Sequence, residues 1–511
     1  MKRLLHLLAS FAAASTFAAA AGYYVSPKGD DRAAGNKSGP WRTIARVNLA
    51  RFQPGDRILF EGGQTFAGRI EIGPSSSGAA NAPVVLSSFG SGRAIIDGGN
   101  REALVVDGAA HITIRSLEFK GAGRKTGSET SGVVLRNSSN LAVADIEVRG
   151  FRSSGLALDG VTNVRISGVR AHLNGFAGIS SGGKLSKNLT IINCLAENNP
   201  GDPTVRNNHS GNGIVAGSAQ DVLIERCEAR YNGWDMPWTG NGPVGIWAYR
   251  ADRVTIRHCL SHHNRSTASD GGGFDLDGGV TNSILEYNYS HSNFGAGYLI
   301  CQYKDAGPFE NNVVRYNISQ DDGLFDHNAA IFVWVGGAQM KSALVHNNTV
   351  LNAKGSAVII RGAKEYASQM PALAFYNNIF VTQGPQIIGS RHGKFSGNLY
   401  WSLGERGFRV DDFKSLEQWS AATGQEMAAA KLAGLYADPL LRKDGNGLLT
   451  DPKLLNELRE YQLHPGSPAA GAGLDLRALF SIDPGGRDYY GNPLPAAGPL
   501  SIGAHEAAAR R

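Results

Sequence analysis

The stretch that decides the fold is GIWAYRADRVTIRHCLSHHN at residues 245–264, followed by GFDLDGGVTNSILEYNYSHSN at residues 273–293. Each unit begins with a glycine, continues with a short apolar strand, a turn and a second apolar strand, and reaches a Cys or Asn before a polar stretch. Between residues 103 and 398 that position can be followed as Cys194, Cys227, Cys259, Asn288, Asn317, Asn347 and Asn377. A period of about 30 residues without a helical pattern predicts a solenoid of parallel coils.

The repeat predicts one all-β domain, a parallel β-helix of roughly ten coils. Parallel crossover connections are almost always right-handed, so we expect a right-handed solenoid. Asn side chains at one turn of successive coils would hydrogen-bond each other in a buried ladder. The 66 glycines and 20 prolines are spread along the whole chain without a linker, which favours a single repeat architecture over several separate domains.

The N-terminus predicts an export signal over residues 1–21, because Lys2 and Arg3 precede an apolar stretch that ends in small residues. The apolar stretch is short for a membrane span, which needs about 20 apolar residues. We therefore expect a secreted or periplasmic monomer without an integral membrane span. The net charge of +6 comes from scattered basic residues, which excludes nucleic acid as the predicted partner.

Three of the four cysteines, Cys194, Cys227 and Cys259, follow the coil period. This spacing favours a buried ladder of small side chains. Strands about 4.8 Å apart also bring stacked thiols within disulfide reach, so pairing stays open. Cys301 falls outside the ladder and is expected to be an unpaired surface thiol.

The coil pattern and both ends of the chain resemble the pectate-lyase-like superfamily of secreted right-handed β-helix proteins. YYVSPKGDDRAAGNKSGPWRTIARVN at residues 23–48 and PGDRILFEGG at residues 54–63 resemble the strand-and-helix cap of such proteins. DDFKSLEQWSAATGQE at residues 411–426 predicts a short helix with Leu416 and Trp419 on one face. The resemblance implies an N-terminal cap with the first coils at 22–100, repeats at 101–400, and a C-terminal cap and tail at 401–511.

Strand alternation assigns one face of each coil to the outside. Successive side chains of a strand point to opposite faces, and the apolar first and third positions after each glycine should point inward. The second and fourth positions then point outward, and among them are Asp275 and Asp277 with Trp247, Tyr249, Phe332, Trp334 and Arg361. Two carboxylates between aromatic platforms on a solvent face suit a sugar chain, because aromatic faces stack on sugar rings.

Long loops beside this face carry further candidates, including Asp270. The predicted substrate-binding residues are Trp234, Asp235, Trp247, Tyr249, Trp334, Arg361 and His209. In the pectate-lyase-like superfamily, active sites characteristically occupy this sheet and its loops, so the resemblance implies the same location.

Three functions stay open for this face, and a carbohydrate-active enzyme is the favoured one. The resemblance implies a lyase acting on a uronate-containing polysaccharide by β-elimination. Asp275, Asp277 and Lys304 are its predicted catalytic residues, and calcium held by Asp275, Asp277 and Asp322 is its possible cofactor. The first alternative is an inverting glycoside hydrolase, since carboxyls two residues apart on a strand reach the required separation of about 6.5–9.5 Å. The second is a carbohydrate-binding β-helix without catalysis.

Overall fold

Three long parallel sheets make up the molecule, a computed structural model that describes residues 20–325, 329–362, 370–442 and 449–507. The sheets contain 14, 12 and 14 strands, and each coil contributes one strand to each sheet. This confirms the predicted all-β solenoid, with more than the roughly ten coils expected from the repeat. Most of the predicted export signal lies outside the described residues.

The first sheet pairs its strands in chain order. Its strands are Gly22–Val25, Arg57–Glu61, Val84–Phe89, Ala110–Arg115, Ser139–Ala144, Thr162–Ser167, Ser186–Ile192, Ala219–Glu225, Asp252–Arg257, Ile284–Glu286, Asn312–Arg315, Ser342–His346, Ala372–Tyr376 and Lys394–Ser396.

The second sheet carries the strand that follows the glycine of each repeat. Its strands are Ile70–Ile72, Leu104–Asp107, Val133–Arg136, Ser154–Asp159, Ala177–Ser181, Asn212–Gly217, Val244–Tyr249, Gly272–Leu276, Tyr298–Tyr303, Ala329–Gly336, Ser356–Gly362 and Ile387–Ile388.

The third sheet is formed by the polar stretch after each Cys or Asn, which the repeat did not predict as a strand because most of its strands are short and polar. They are Thr65–Ala67, Ala94–Gly99, Leu117–Gly121, Glu147–Arg149, Arg170–His172, Leu195–Glu197, Glu228–Arg230, Leu260–His262, Tyr289–His291, Ile318–Gln320, Thr349–Asn352, Ile379–Thr382, Leu399–Ser402 and Leu435–Tyr436. A small antiparallel pair joins Met427–Ala428 to Lys431–Leu432.

Close packing explains why glycine begins the repeats. A Cβ added to Gly245 would lie 2.0 Å from the Ser261 hydroxyl oxygen, and one added to Gly273 would lie 2.3 Å from that of Ser290. The second and third sheets approach each other so closely here that no side chain fits. The apolar first and third strand positions point inward as predicted and join one continuous core.

The predicted Asn ladder is present, but it includes Asn348 and Asn378 rather than Asn347 and Asn377. Asn317 donates from its side chain to Asn348, and Asn348 donates to Asn378, at 3.0 and 2.9 Å. The preceding residue of each Asn pair takes a positive φ of 52° or 53° to turn the chain, so the second Asn points inward. Cys194, Cys227 and Cys259 continue this ladder as free buried thiols.

Both predicted caps form. The helix Ile44–Asn48 follows the first strand, with the Thr43 side chain as its N-cap. The helix Leu416–Thr423 is capped by Ser415 and buries Leu416 and Trp419, as expected from the sequence. The other helical segments of the described residues are Leu476–Phe480 and the 3₁₀ turns Pro74–Ser76, Ser390–His392, Pro452–Glu457 and Arg459–Tyr461.

The C-terminal tail returns along the third sheet. Tyr461 packs against Tyr289, with ring centroids 6.0 Å apart, and Asn347 donates to the Ser501 carbonyl at 3.0 Å. Nowhere in the described ranges is there a helix with the length and apolar character that a membrane crossing requires.

Candidate active site

The strand register places two carboxylates on the outer face of the second sheet. Trp247 pairs with Asp275, and Asp275 pairs with Leu299 on the next coil. Phe274 and Leu276, the alternate residues, lie in the core with no exposed surface. The predicted outward orientation is therefore present.

The loops convert this outer face into a cavity. Asp275 is only 2% exposed, so the prediction that its side chain lies on a face open to solvent is wrong. Loop residues Asn208, Asn241 and Asp270 stand over the strands and wall a cavity of about 820 Å³. A cavity of this size can enclose a small ligand or a short oligosaccharide, which a flat sheet surface could not do.

Three aspartates, Asp270, Asp275 and Asp277, line the cavity together. Asp270 accepts a hydrogen bond from the Gly242 backbone N–H at 2.7 Å, whereas Oδ1 of Asp275 and Oδ1 of Asp277 are buried and have no hydrogen-bond partner among the described residues. A buried carboxylate oxygen without a partner is costly, and such groups occur where a ligand completes the site.

The electrostatics of the cavity separate the two strand carboxyls. Burial, with repulsion from Asp277 and Asp270, raises the pKa of Asp275 well above its usual range. Burial raises the pKa of Asp277 to about 6, although hydrogen bonds from Cys301 and the Gly278 backbone oppose the rise. The carboxyl of Asp275 therefore holds its proton more strongly than that of Asp277.

Cys301 is part of the cavity rather than the surface thiol expected from the sequence. Its thiol hydrogen-bonds Asp277, and it is only partly exposed. Burial and the two nearby aspartates raise the pKa of the thiol, so Cys301 is a donor to Asp277 and not a thiolate nucleophile.

Aromatic rings form one wall of the cavity. His209 lies between Phe176 and Trp247, with ring centroids 5.9 and 5.4 Å away, and Tyr249 packs on Trp247 at 5.3 Å. Asn212 fixes this wall, because it accepts from the Trp247 indole N–H at 3.1 Å and its amide lies 3.1 Å from His209 Nδ1. Burial lowers the pKa of His209 to about 4, so the ring is neutral.

The opposite wall carries a second aromatic group and a cation. Trp334 lines the cavity and is 38% exposed. The Arg361 guanidinium lies 5.8 Å from the centre of the Phe332 ring, and both residues line the cavity. Of the seven predicted substrate-binding residues, five therefore line the cavity with the acids: His209, Trp247, Tyr249, Trp334 and Arg361.

The structure does not bring Asp322 to the site. Asp322 is fully buried inside the β-helix. It continues a second ladder of hydrogen-bonded side chains, formed by Asn174, Asn199, Asn232, Asn264 and Asn293. Its Oδ1 accepts from the Asn293 backbone and side chain at 3.0 and 2.8 Å, and its Oδ2 accepts from the Ser319 hydroxyl at 2.7 Å. The structure corrects the prediction that Asp322 is a metal ligand, because both of its carboxylate oxygens already accept hydrogen bonds in the ladder.

Trp234 and Asp235 also lie away from the aspartates. Trp234 lines a separate cavity beside the third sheet, where its indole N–H donates to Asn198 at 3.0 Å. Asp235 forms ion pairs with Arg124 and Lys125. These two residues were expected to bind substrate, but their loop turns toward the third sheet and holds them there.

Lys304, the predicted base, is exposed just beyond the end of its strand. Its backbone N–H donates to the Gly336 carbonyl at 2.9 Å, and the side chain does not line the cavity. The cationic side chains that line the cavity in the described ranges are Arg250 and Arg361.

Arg250, Tyr303 and Phe325 line the cavity without having been singled out in the sequence. Arg250 directly follows the outward-pointing Tyr249 at a turn with a positive φ of 44°. Tyr303 occupies the sixth position after Gly297, on the outward side of the same alternation that identified Leu299 and Cys301. Extending the alternation to the strand ends would have found Tyr303, whereas Phe325 lies on a loop without periodicity.

The predicted calcium ligands are only partly assembled. Without Asp322, the set retains Asp275 and Asp277, which supply four of the six to eight oxygens that calcium takes. In the described ranges, the one group of three acidic, His or Cys side chains with ligand atoms within 4.8 Å of one another consists of histidines, so Asp270 does not complete a compact carboxylate site. The acids present do not form the predicted calcium site by themselves.

Comparison with known proteins identifies the family of this fold. The model of the Pel9A-like right-handed beta helix region matches residues 23–326. The chain belongs to this Pel9A-like family. The match includes the coils with Asp270, Asp275 and Asp277. The right-handed coiling named in the family description agrees with the handedness expected from the repeat.

Two curated relatives of this Pel9A-like chain are named as carbohydrate-active enzymes. Pectate lyase L of Paenibacillus polymyxa strain SC2 is 26% identical over 437 residues, which are 76% of this chain and 87% of the relative. Lacto-N-biosidase of Bifidobacterium longum subsp. longum is 25% identical over 325 residues, which are 59% of this chain and only 19% of that much longer relative.

Solved structures agree on the fold. The PL6 family alginate lyase AlyGC matches with a TM-score of 0.53 and 16% identity, over 80% of this chain and 54% of that one. The GH136 lacto-N-biosidase from Eubacterium ramulus matches with a TM-score of 0.50 and 18% identity, over 72% and 67%. At such identities the likeness supports the β-helix architecture alone.

Proposed function

We propose that this protein is a carbohydrate-active enzyme that hydrolyses a glycosidic bond in the cavity of Asp270, Asp275 and Asp277. The observation that carries the proposal is the pair of buried carboxyl oxygens, Oδ1 of Asp275 and Oδ1 of Asp277, which lack partners within the described part of the chain in a cavity walled by aromatic rings. Both curated relatives are named for enzymes that act on carbohydrates, which supports the substrate class.

The two carboxyls suit complementary roles in this hydrolysis. Asp275, with its pKa well above the usual range, keeps a proton at neutral pH and donates it to the leaving glycosidic oxygen. Asp277, with a pKa of about 6, is ionised and takes a proton from the attacking water. Carboxyls whose environments separate their pKa values are the usual acid and base of such a reaction.

The strand geometry favours inversion at the anomeric carbon. Residues two apart on a strand have Cα atoms about 6.5–7 Å apart. Inverting glycosidases place their carboxyls about 6.5–9.5 Å apart to leave room for water, whereas retaining enzymes use about 5–5.5 Å. Carboxyls on side chains that start from Cα atoms this far apart can reach the inverting range, which supports the proposal of inversion.

The walls of the cavity suit a short sugar chain. Trp247, Tyr249 and Trp334 offer ring faces to the apolar faces of sugars. Arg250 and Arg361 add positive charge on the same walls. A sugar with a carboxylate would be attracted to these cations, so we propose an acidic oligosaccharide or polysaccharide as the first substrate class to examine.

β-Elimination is the second candidate, supported by the pectate lyase that aligns with 76% of this chain. A lyase would abstract the proton next to a uronate carboxylate. Lys304 is the base expected from the sequence, but its exposed position outside the cavity leaves Arg250 or Arg361 as the cations beside the acids. Calcium would neutralise the substrate carboxylate if Asp275 and Asp277 held it together with oxygens from substrate or water.

A screen of uronate-rich and neutral polysaccharides, with two readouts, tests these proposals. Hydrolysis produces reducing ends without ultraviolet absorbance, resists a chelator and survives Lys304→Ala. β-Elimination produces an unsaturated sugar that absorbs in the near ultraviolet and is lost with the chelator if calcium takes part. Binding of a polysaccharide without any new ends would contradict both enzymatic proposals and favour the non-catalytic reading.

The same proposal includes export, since residues 1–21 have the pattern of a signal peptide and a polysaccharide is an extracellular substrate. N-terminal sequencing of the mature protein from culture fluid or periplasm tests this point. A chain retained in the cell with its first residues intact would contradict it.

A further inference from the structure

Three histidines meet on the third sheet, away from the aspartate cavity. His262 and His291 are paired in register on adjacent coils, and their rings stack with centroids 4.6 Å apart. His263 Nδ1 lies 2.8 Å from His262 Nδ1. One nitrogen of each ring lies within 4.8 Å of the corresponding nitrogens of the other two. The three imidazole rings therefore form a compact cluster, whereas surface histidines are usually scattered.

The outer hydrogen bonds of two rings decide which nitrogen is free to bind. His291 Nε2 lies 3.1 Å from the Leu449 carbonyl oxygen, which only accepts, so Nε2 carries the proton. Its Nδ1 retains the lone pair and accepts from the Ser292 hydroxyl at 3.3 Å, a hydrogen bond that a metal ion would replace. His262 Nε2 lies 3.0 Å from Glu228 Oε1, which also accepts from Arg230 at 2.9 Å. Metal-binding histidines characteristically donate their second N–H to a carboxylate or a backbone carbonyl in this way.

We propose that His262, His263 and His291 bind one divalent transition-metal ion of the zinc or copper(II) class. Imidazole nitrogen is a preferred ligand of both ions. Zinc–nitrogen bonds of about 2.0–2.1 Å place tetrahedral ligand atoms about 3.3 Å apart. The Nδ1 atoms of His262 and His263, 2.8 Å apart, lie somewhat closer than that spacing. The rings of His262 and His291 are stacked 10° from parallel, so both must turn for their in-plane lone pairs to point at one ion.

Among the described residues, access to the ion comes from the side of His263. His262 and His291 are buried, whereas His263 is partly exposed and lines the separate cavity of about 520 Å³ that also contains Tyr231 and Arg265. Water from this cavity would complete a tetrahedral shell of three histidines and one open position.

Nearby charges set the expected affinity. The Arg230 guanidinium is paired with Glu197 and Glu228, which offset its charge. Arg265 lines the same cavity with its guanidinium over the Phe294 ring, 5.4 Å from the ring centre. This cation weakens the binding of a divalent ion, so we expect a resident ion that strong chelators can remove.

The ion would stabilise one part of the solenoid. His262 and His291 belong to consecutive coils, and the Leu449 carbonyl belongs to the tail that returns along the third sheet. A ligand that binds only the folded state raises stability by mass action, so metal should raise the melting temperature. The inference concerns a site separate from the aspartate cavity and does not depend on the proposed hydrolysis.

Titration of the chelator-stripped full chain with zinc chloride, followed by calorimetry, tests the proposal. We expect about one ion per chain, and at least about tenfold weaker binding in His263→Asn. His258→Asn is the matched control: both histidines occupy left-handed turns, at φ of 54° and 52°, a conformation that Asn tolerates, but His258 stacks on Tyr287 outside the cluster.

Copper(II) gives an independent spectroscopic readout. The electron paramagnetic resonance spectrum should show nitrogen hyperfine coupling in the wild type and in His258→Asn, and a changed pattern from fewer coupled nitrogens in His263→Asn. His263→Gln replaces the Asn variant should that variant fail to fold. Absence of zinc binding, or equal affinity and equal copper spectra in the wild type and the His263 variant, would overturn the proposal.

Discussion

Asp275 and Asp322 are two buried aspartates on nearby coils whose surroundings differ completely. Asp322, inside the helix, accepts hydrogen bonds at both oxygens from Asn293 and Ser319. Asp275, on the outer face of the second sheet, has a buried Oδ1 for which the described ranges offer no partner. The interior ladder satisfies both carboxyl oxygens of Asp322, whereas in the cavity the described residues leave one oxygen of Asp275 unsatisfied.

This difference teaches that burial alone does not mark a functional acid. Burial raises the pKa of both groups, to about 7 for Asp322 and well above the usual range for Asp275. The distinction lies in the missing partner, because an unsatisfied buried oxygen reduces stability unless a ligand pairs with it. We therefore expect substitutions to affect catalysis at Asp275 and stability at Asp322.

Asp275→Asn should have the largest effect on activity. Loss of the general acid is expected to lower kcat by about 10²–10⁴-fold while the melting temperature stays close to that of the wild type. Asp159→Asn is the matched control, since Asp159 points outward from the same sheet four coils earlier and does not line the cavity. Kinetics with a cleavable polysaccharide provide the measurement, and equal activity of Asp275→Asn and Asp159→Asn would remove the assignment.

The pH dependence of activity should follow Asp277. With a pKa of about 6 in the free protein, Asp277 loses its proton as the pH rises through 6, so kcat/KM should increase through that pH. It should fall again at the higher pH where Asp275 loses the proton that it must donate. Below about pH 6 the activity should fall by about tenfold per pH unit, because only the ionised base is active. A flat profile of kcat/KM between pH 4 and 7 would contradict the role of Asp277.

Two tryptophans of similar exposure should respond differently to truncation. Trp334, 38% exposed, lines the aspartate cavity, whereas Trp234, 47% exposed, lines the cavity beside the third sheet. Trp334→Ala should raise KM by roughly 5–10-fold through the loss of an aromatic platform worth about 1 kcal/mol. Trp234→Ala should leave KM unchanged, and the reverse result would move the substrate to the other cavity.

Asp322→Asn should have the smallest effect, visible as a pH-dependent change in stability. The folded-state pKa of about 7 lies above the unfolded value, so the contribution of Asp322 to stability is fully present below about pH 4 and is lost as the pH rises through 7. An Asn at this position continues the ladder without ionising. Chemical denaturation should therefore show the variant gaining stability relative to the wild type between pH 4 and 8, and a constant difference would contradict this account.

Strand alternation predicted the arrangement of the outer face of the second sheet well. It placed Asp275, Asp277, Trp247 and Trp334 on the outer side of the second sheet, because a period of two leaves no choice once the apolar positions are assigned inward. The solenoid and both caps also followed from sequence, since a 30-residue period and an amphipathic helix are local signals.

Loops and turns defeated the same reasoning. The direction of a loop depends on its contacts, so the ion pairs of Asp235 with Arg124 and Lys125 could not be foreseen. Asp322 did carry a signal, because it follows Asn293 by one coil step of 29 residues, and the second ladder predicts it as an interior residue. In the pairs Asn347–Asn348 and Asn377–Asn378, the first residue takes the left-handed turn conformation, so the second side chain points inward. The amino-acid composition of the pair does not distinguish the two positions.

The most direct test of the central claim is a crystal structure of Asp275→Asn with a bound oligosaccharide substrate. We predict that the sugar occupies the cavity between Trp247 and Trp334, with its scissile glycosidic oxygen within hydrogen-bond distance of residue 275 and a water molecule beside Asp277. A sugar bound instead at Trp234 on the third sheet, or a scissile bond remote from Asp275 and Asp277, would contradict the claim.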